Sequence, residues 1–374
     1  MQKKLSYVFD LTLVSIALII APKTSWSLDQ IIRPYQSVRS SGMGGLTLTT
    51  GLYDENYFGN PARVMANPKT RFSLFDITAE VDSTAISHIS DLTSNGDFYS
   101  KMSSTAGSNN HVRVQTAFPA LYLSPKESKM HYAFGILMST QADVELRNSL
   151  QIDPTFVTDI GPAFTIGRYF LENDALSIGL TAHATFRLAS NRDFTFIDLI
   201  EGKTLSATSI AGQGAGIDFD LGSTYVLPID LWGAKYTAAF AINNILGGSY
   251  TNLGIHPIQD IQSAPPAQPR SFGFGISAKY DTLWAFTDFV AALEFKDIGN
   301  NPDGGLFRTV HIGAEARYGV LIPRLGINQG YLCAGLGLDL RYFTLDFATY
   351  GEELTLNPGG MEDRRYAFKL AFQI

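Results

Sequence analysis

Residues 175–188 read ALSIGLTAHATFRL, and their division into two faces decides the fold. Leu176, Ile178, Leu180, Ala182, Ala184, Phe186 and Leu188 fall on one face of an extended chain. Ser177, Gly179, Thr181, His183, Thr185 and Arg187 fall on the other. Side chains of a strand alternate with period two, so this is a strand with one apolar face and one polar or small face. The same division recurs at Phe272–Tyr280, at Val310–Tyr318 and from Gly330 to Arg341. Strands of about ten residues with an apolar outside suit a tilted crossing of a hydrocarbon layer. Half-buried sheets of soluble proteins alternate in the same way.

The connections separate these two cases. Fourteen candidate strands lie near 71–81, 111–124, 129–140, 156–170, 175–188, 213–227, 235–246, 271–281, 286–297, 308–319, 321–328, 330–341, 342–350 and 364–374. Short connections (125–128, 171–174, 228–234, 282–285, 319–321 and 341–343) alternate with longer ones (82–110, 141–155, 189–212, 247–270, 298–307 and 351–363). Only the turn at Asn328-Gln329-Gly330 breaks the rule. An even number of strands with short turns at one rim and longer loops at the other is the pattern of outer-membrane barrels. The expected fold class is therefore all-β: a transmembrane antiparallel β-barrel of about 14 strands. Its last strand would carry Tyr366, Phe368, Leu370, Phe372 and Ile374 on one apolar face.

The N-terminus fits export. Lys3 and Lys4 precede a short apolar core, Leu11–Ala21, and Ser25-Trp26-Ser27 supplies small residues for cleavage. Residues 1–27 are thus expected to be a signal peptide, with the mature chain in the outer membrane of a Gram-negative cell. Their removal takes Lys3, Lys4, Lys23 and Asp10 away and moves the formal charge from −7 to −9. That balance argues against nucleic acid as a partner, which needs basic patches. The one cysteine, Cys333, cannot form an intramolecular disulfide. Outer-membrane lipids are the expected surroundings.

Between the signal and the first strand, residues 28–70 follow neither period. The stretch Ser40–Arg71, SSGMGGLTLTTGLYDENYFGNPARVMANPKTR, is glycine-rich and interrupted by Pro61 and Pro68. A barrel of fourteen strands encloses a wide lumen. Residues 28–70 are expected to fill it as a hatch, leaving 71–374 as the barrel. Asn60-Pro61 would make a sharp bend, because proline lacks a donor and holds Asn60 extended. Lumen-facing charges are expected at His183, Arg187, Lys279, Glu294, Lys296, Glu315, Arg317, Asp339, Arg341, Asp346 and Lys369. Mixed signs on neighbouring strands predict ion pairs across the wall, a structural ladder rather than a ligand lining.

No enzyme motif is present. The six histidines are scattered (His88, His111, His131, His183, His256 and His311), without H-E-x-x-H, C-x-x-C or G-x-S-x-G. Gly42-Met43-Gly44-Gly45 lacks the Lys-Ser/Thr ending of a phosphate loop. No catalytic residue, metal site or cofactor is expected.

Ser40-Ser41-Gly42-Met43-Gly44, then Asp54-Glu55, then Asn60-Pro61-Ala62, resembles the hatch of the long-chain fatty-acid transporter (FadL) family. Gly42, Gly44, Asn60, Pro61 and Ala62 carry that resemblance. It implies fourteen strands, a hatch, and passage of hydrophobic small molecules that leave sideways through a gap in the wall, looked for near 111–140. The outer loops 141–155 and 189–212 are shorter than the helical loops of that family. The tail is similar to PorV-type barrels instead, through Gly313–Tyr318, Gly330–Gly337, Tyr350-Gly351-Glu352-Glu353 and Asp363-Arg364-Arg365. That likeness implies the alternative of a non-transporting barrel that binds exported proteins or serves a secretion system.

Overall fold

The computed structural model describes residues 31, 33–87, 109–146, 152–190, 201, 210–229, 231–251, 261, 263–301, 305–355 and 359–374. The signal segment 1–27, His88, His256 and most of the loop 82–110 lie outside the described residues. The first seven strands are β1 (Arg71–Asp82), β2 (Asn109–Leu123), β3 (Met130–Leu146), β4 (Ile152–Phe170), β5 (Leu176–Ser190), β6 (Ala211–Val226) and β7 (Lys235–Asn243). The rest are β8 (Ser271–Leu283), β9 (Phe286–Ile298), β10 (Val310–Arg317), β11 (Leu321–Asn328), β12 (Tyr331–Asp339), β13 (Phe343–Glu353) and β14 (Glu362–Gln373). Each pairs antiparallel with its sequence neighbour, and β14 returns to β1, so the sheet is a closed barrel. Closure leaves no edge, and every wall strand finds partners on both sides, as a hydrocarbon surrounding demands. The seam is sealed at the last residue: Phe72 N donates to Ile374 O at 2.8 Å and Ile374 N to Phe72 O at 2.9 Å.

The alternation read from the sequence is the division between outside and lumen. On β5, Ile178 and Leu180 are exposed outward, whereas Ser177, Thr181, His183 and Arg187 are buried inside. On β14, Tyr366 and Phe368 face outward, and Arg365, Ala367, Lys369 and Ala371 face in.

One expected loop is wrong. Residues 141–155 are not a long connection: β3 and β4 pair without interruption from Met130↔Arg168 to Leu146↔Ile152. The strands run on past the apolar band. The outward threonines meet there, Thr158 Oγ1 donating to Thr140 Oγ1 at 3.2 Å. The period-two pattern itself continues, with Gln141 and Asp143 buried inside and Ala142 between them, but the charged residues and Asp153-Pro154 read as a connection.

β9 is bulged against β8 and against β10, and a second irregular region joins two neighbouring strands. β1 shifts register against β14 between Ser73 and Phe75, and β2 shifts against β3 between Ala117 and Ala120. These bulges lie side by side, so the β1–β2 ladder is interrupted between Ser73↔Ala120 and Ile77↔Thr116. Each extra residue restores the inward phase: Ser73 and Asp76 are buried on β1, and Ala117 and Ala120 on β2.

Candidate functional site: the lumen and the segment within it

Residues 33–70 run through the lumen, against the inward faces of the wall strands. A short helix, α1 (Val38–Gly42), starts at Ser37, whose hydroxyl accepts from Ser40 N. It lies against the wall where glycine meets glycine: a Cβ on Gly42 would sit 2.9 Å from Gly335 Cα. Beyond it the chain turns through Gly44 and Gly45, with φ of +73° and +89°, a region that favours glycine. Gly44 is also wedged against the Ile312 and Ile327 backbones. The next turn is organised by one wall carboxylate. Glu294 accepts from Thr47 N (2.8 Å), Leu48 N (3.0 Å), Thr49 N (2.7 Å) and Thr49 Oγ1 (2.8 Å). Beside it, Lys296 Nζ donates to Gly45 O at 2.6 Å and His311 Nδ1 to Gly44 O at 2.7 Å.

Ion pairs fasten the same side. Arg39 is bidentate on Glu315 (2.9 Å for both bonds) and also reaches Glu55 at 2.7 Å. Burial opposes its charge, but the Glu315 and Glu55 carboxylates prevail and hold its pKa above the ordinary value. Asp54 accepts from Lys369 Nζ at 2.9 Å and from Tyr35 OH at 2.9 Å. Burial raises its pKa, yet Lys369 and these hydrogen bonds leave it below the usual carboxylate range. Arg33 joins Asp297 and Glu352, at 2.9 and 2.8 Å. Arg63 meets Gly51 O at 3.2 Å; burial, with Arg39 nearby, lowers it to about 10.

The other side is held without charge. Asn60 Oδ1 accepts from Ala62 N (3.0 Å), and its Nδ2 donates to Leu48 O (2.8 Å) and Ser223 O (3.2 Å). Pro61 opens the 3-10 turn Pro61–Ala66, which rests on Gly179 of β5; a Cβ there would collide with the Pro61 backbone. Tyr53, Tyr57, Val64 and Met65 then pack with Tyr122, Ala117, Ala120, Ala133, Leu137 and Ala163 of β2–β4. Tyr53 and Tyr122 meet edge to face at 5.3 Å. This apolar cluster lies directly inside the interrupted stretch of wall.

The expected lumen charges divide into three groups. His183, Arg187, Glu294, Lys296, Glu315, Asp346 and Lys369 face inward and are buried or half-buried. Cross-wall pairing holds for Arg187–Asp159 (2.6 Å), Arg324–Glu315 (2.6 Å), Arg324–Asp346 (2.5 Å) and, near the short-turn rim, Arg317–Asp339 (3.1 Å). Glu294 and Lys296 depart from it: they bind the N-terminal segment, Glu294 through three backbone N–H groups and the Thr49 hydroxyl and Lys296 through Gly45 O. Lys369 does both, reaching Asp76 on the wall and Asp54 on the segment. Lys279 and Arg341 were misplaced. Lys279 sits at the short-turn rim, half exposed, with Asp288 at 2.8 Å. Arg341 is exposed in the β12–β13 turn, stacked over Tyr342. Strand alternation gives a side, not a height, so residues beyond the apolar band were counted as lumen.

Several residues escaped the sequence reading. His111 lies between Asp143 (2.6 Å) and Glu80 (2.7 Å), with Arg113 and Arg365 beside the same carboxylates. The alternate glycines 212, 214 and 216 are a readable signal: they make room on β6 for the backbone of Ser249–Thr251 and Ala264–Pro265, folded against the wall from inside. Of the residues that carry the PorV-like tail, Glu352, Asp363 and Arg365 point into the lumen, where Glu352 holds Arg33 and Arg365 holds Asp363. They are structural links, not an outward surface.

The architecture is a closed fourteen-strand barrel of the outer-membrane type, and solved structures share it. The TodX deltaS2S3 mutant, a monoaromatic hydrocarbon channel, superposes with a TM-score of 0.50 at 11% identity, over 91% of this chain and 98% of that one. The Ralstonia pickettii toluene transporter TbuX gives 0.47 at 13% identity, over 93% and 98%. A Pseudomonas aeruginosa FadL homologue gives 0.34 at 10% identity, over 92% and 98%. No protein-family model and no curated protein matches the sequence. The chain shares the fold of the TodX channel.

Proposed function

We propose that this chain carries hydrophobic small molecules across the outer membrane of a Gram-negative cell, after export and loss of residues 1–27. Residues 28–70 act as the hatch, with Gly42, Gly44, Asn60, Pro61 and Ala62 shaping it. One observation supports this above the others. The aromatic and aliphatic cluster of the segment stands behind the only place among the described residues where two neighbouring strands are bulged together. An apolar molecule in the lumen would meet Tyr53, Tyr57, Tyr122 and Leu137 there. It would find missing ladder bonds at Leu74–Asp76 and Ala117–Pro119, the weakest part of the wall for leaving sideways. The fastening is lopsided: ion pairs tie Arg33, Arg39 and Asp54 to the wall, whereas residues 57–66 meet the wall through packing and neutral hydrogen bonds, and Arg63 bonds Gly51 O within the segment itself. The half without an ion pair to the wall is the half that moves. The fold-level likeness to hydrocarbon channels supports the same reading by analogy.

The test is uptake into lipid vesicles containing the purified protein, with radiolabelled toluene and a radiolabelled long-chain fatty acid as probes. Faster uptake of at least one probe than by protein-free vesicles is expected. Removing Leu74 and Pro119 together should regularise both strands and slow that uptake by about tenfold, the scale of a barrier raised by about 1.4 kcal/mol. Vesicles with wild-type protein no faster than empty ones would end the proposal.

A further inference from the structure

The central chamber beside the segment is not an apolar pocket. It leaves about 80 Å3 for the centres of water-sized molecules, several times the roughly 10–15 Å3 that one water needs. That is room for a small molecule. Tyr35, Phe58 and Phe272 give it aromatic walls, but Lys296 and His311 also line it. Both reach consecutive carbonyls of the glycine turn, so they stand side by side.

His311 is 1% exposed. Its Nδ1 is 2.7 Å from Gly44 O, and a carbonyl only accepts, so Nδ1 carries a proton. Nε2 is then a lone-pair acceptor in the neutral ring. Among the described residues no group partners it. Lys296 has three N–H donors, and among the described residues its hydrogen-bond acceptor is Gly45 O. Thr47 Oγ1, on the same chamber, is likewise buried without a partner. A bare hydrocarbon would leave all of these unsatisfied, at a cost for each buried group. A carboxylate would satisfy Lys296 but set its lone pairs against that of Nε2, beside Glu55 and Asp297, and the chamber's other cation, Arg33, is already paired with Asp297 and Glu352.

We propose that this chamber holds a small aromatic molecule bearing a hydroxyl group, whose O–H donates to His311 Nε2 and whose oxygen accepts from Lys296 Nζ. The inference rests on the lumen being a ligand path and narrows what that path selects. A site built to hydrogen-bond a hydroxyl discriminates against the analogue without it.

Isothermal titration of the full chain in detergent, with phenol, toluene and benzoate as probes, tests it. Phenol should bind at least about tenfold more tightly than toluene, the scale of one or two hydrogen bonds, and benzoate more weakly than phenol. His311→Asn keeps a donor near Gly44 O but places nothing at Nε2, so it should abolish the preference. His311→Gln sets an amide near the Nε2 position and should restore part of it. If His311→Asn does not fold, as read by heat-dependent gel mobility, Lys296→Met should lower phenol affinity about fivefold or more while leaving toluene unchanged. Equal binding of phenol and toluene by the wild type, or a preference that survives both substitutions, overturns the hydroxyl site. If toluene still crosses vesicles in that case, the transport reading stands alone; if neither compound binds or crosses, both readings fall.

Discussion

Arg39 shows how much of the molecule hangs on single buried charges. Its guanidinium joins Glu55 of the N-terminal segment to Glu315 of the wall, and Glu315 passes the contact on to Arg324 and Asp346. Removing one partner of a buried pair strands the others, at about 3–5 kcal/mol. Arg39→Ala should therefore lower unfolding stability in detergent by that order, and should expose the segment to protease before the barrel itself unfolds. Asp54 gives a pH counterpart. Its folded carboxyl titrates below the unfolded value of about 3.9. Its contribution is thus complete above that value and is lost as pH falls through the lower, folded one. Hydrogen exchange of residues 52–57 should stay slow from neutral pH down to about 4 and quicken below. Asp54→Asn should weaken this acid step, and an unchanged step would assign it to another carboxylate.

At the scale of elements, the wall and the segment specify each other through backbone contact. The inward face of each strand was legible as polar or glycine, but the reason for each glycine was not. Gly335 admits α1, Gly179 admits Pro61, and the glycines 212, 214 and 216 admit the folded-in loop. Such a residue is chosen by a neighbour outside its own strand, as distant in sequence as Gly42 is from Gly335. Gly335→Val would drive a side chain into Gly42 Cα while leaving the β12 ladder intact, since valine suits a strand. The barrel should assemble with its usual heat-dependent mobility, and the segment should become protease-sensitive. Resistance equal to the wild type would mean that α1 does not depend on that contact. The loop 141–155 was misread because its charged residues and Asp153-Pro154 look like a connection, whereas the pairing of β3 with β4 runs straight through them.

Over the whole molecule, a local rule repeated many times was enough to give the fold. Period-two alternation, sorted loop lengths and an even strand count fix an antiparallel barrel, because hydrocarbon outside allows no unpaired edge. The glycine and proline pattern of 40–71 likewise marked a segment that could be neither strand nor helix face. What the sequence could not supply is everything that depends on which points of a closed surface face one another. The cradle of Glu294 and the bond from Arg33 to Glu352 join positions more than two hundred residues apart, and the paired bulges of β1 and β2 fall where no alternation marks them. Alternation assigns a side chain to the inside or the outside. Closure and register then decide what it meets there, and only the tertiary structure carries that information.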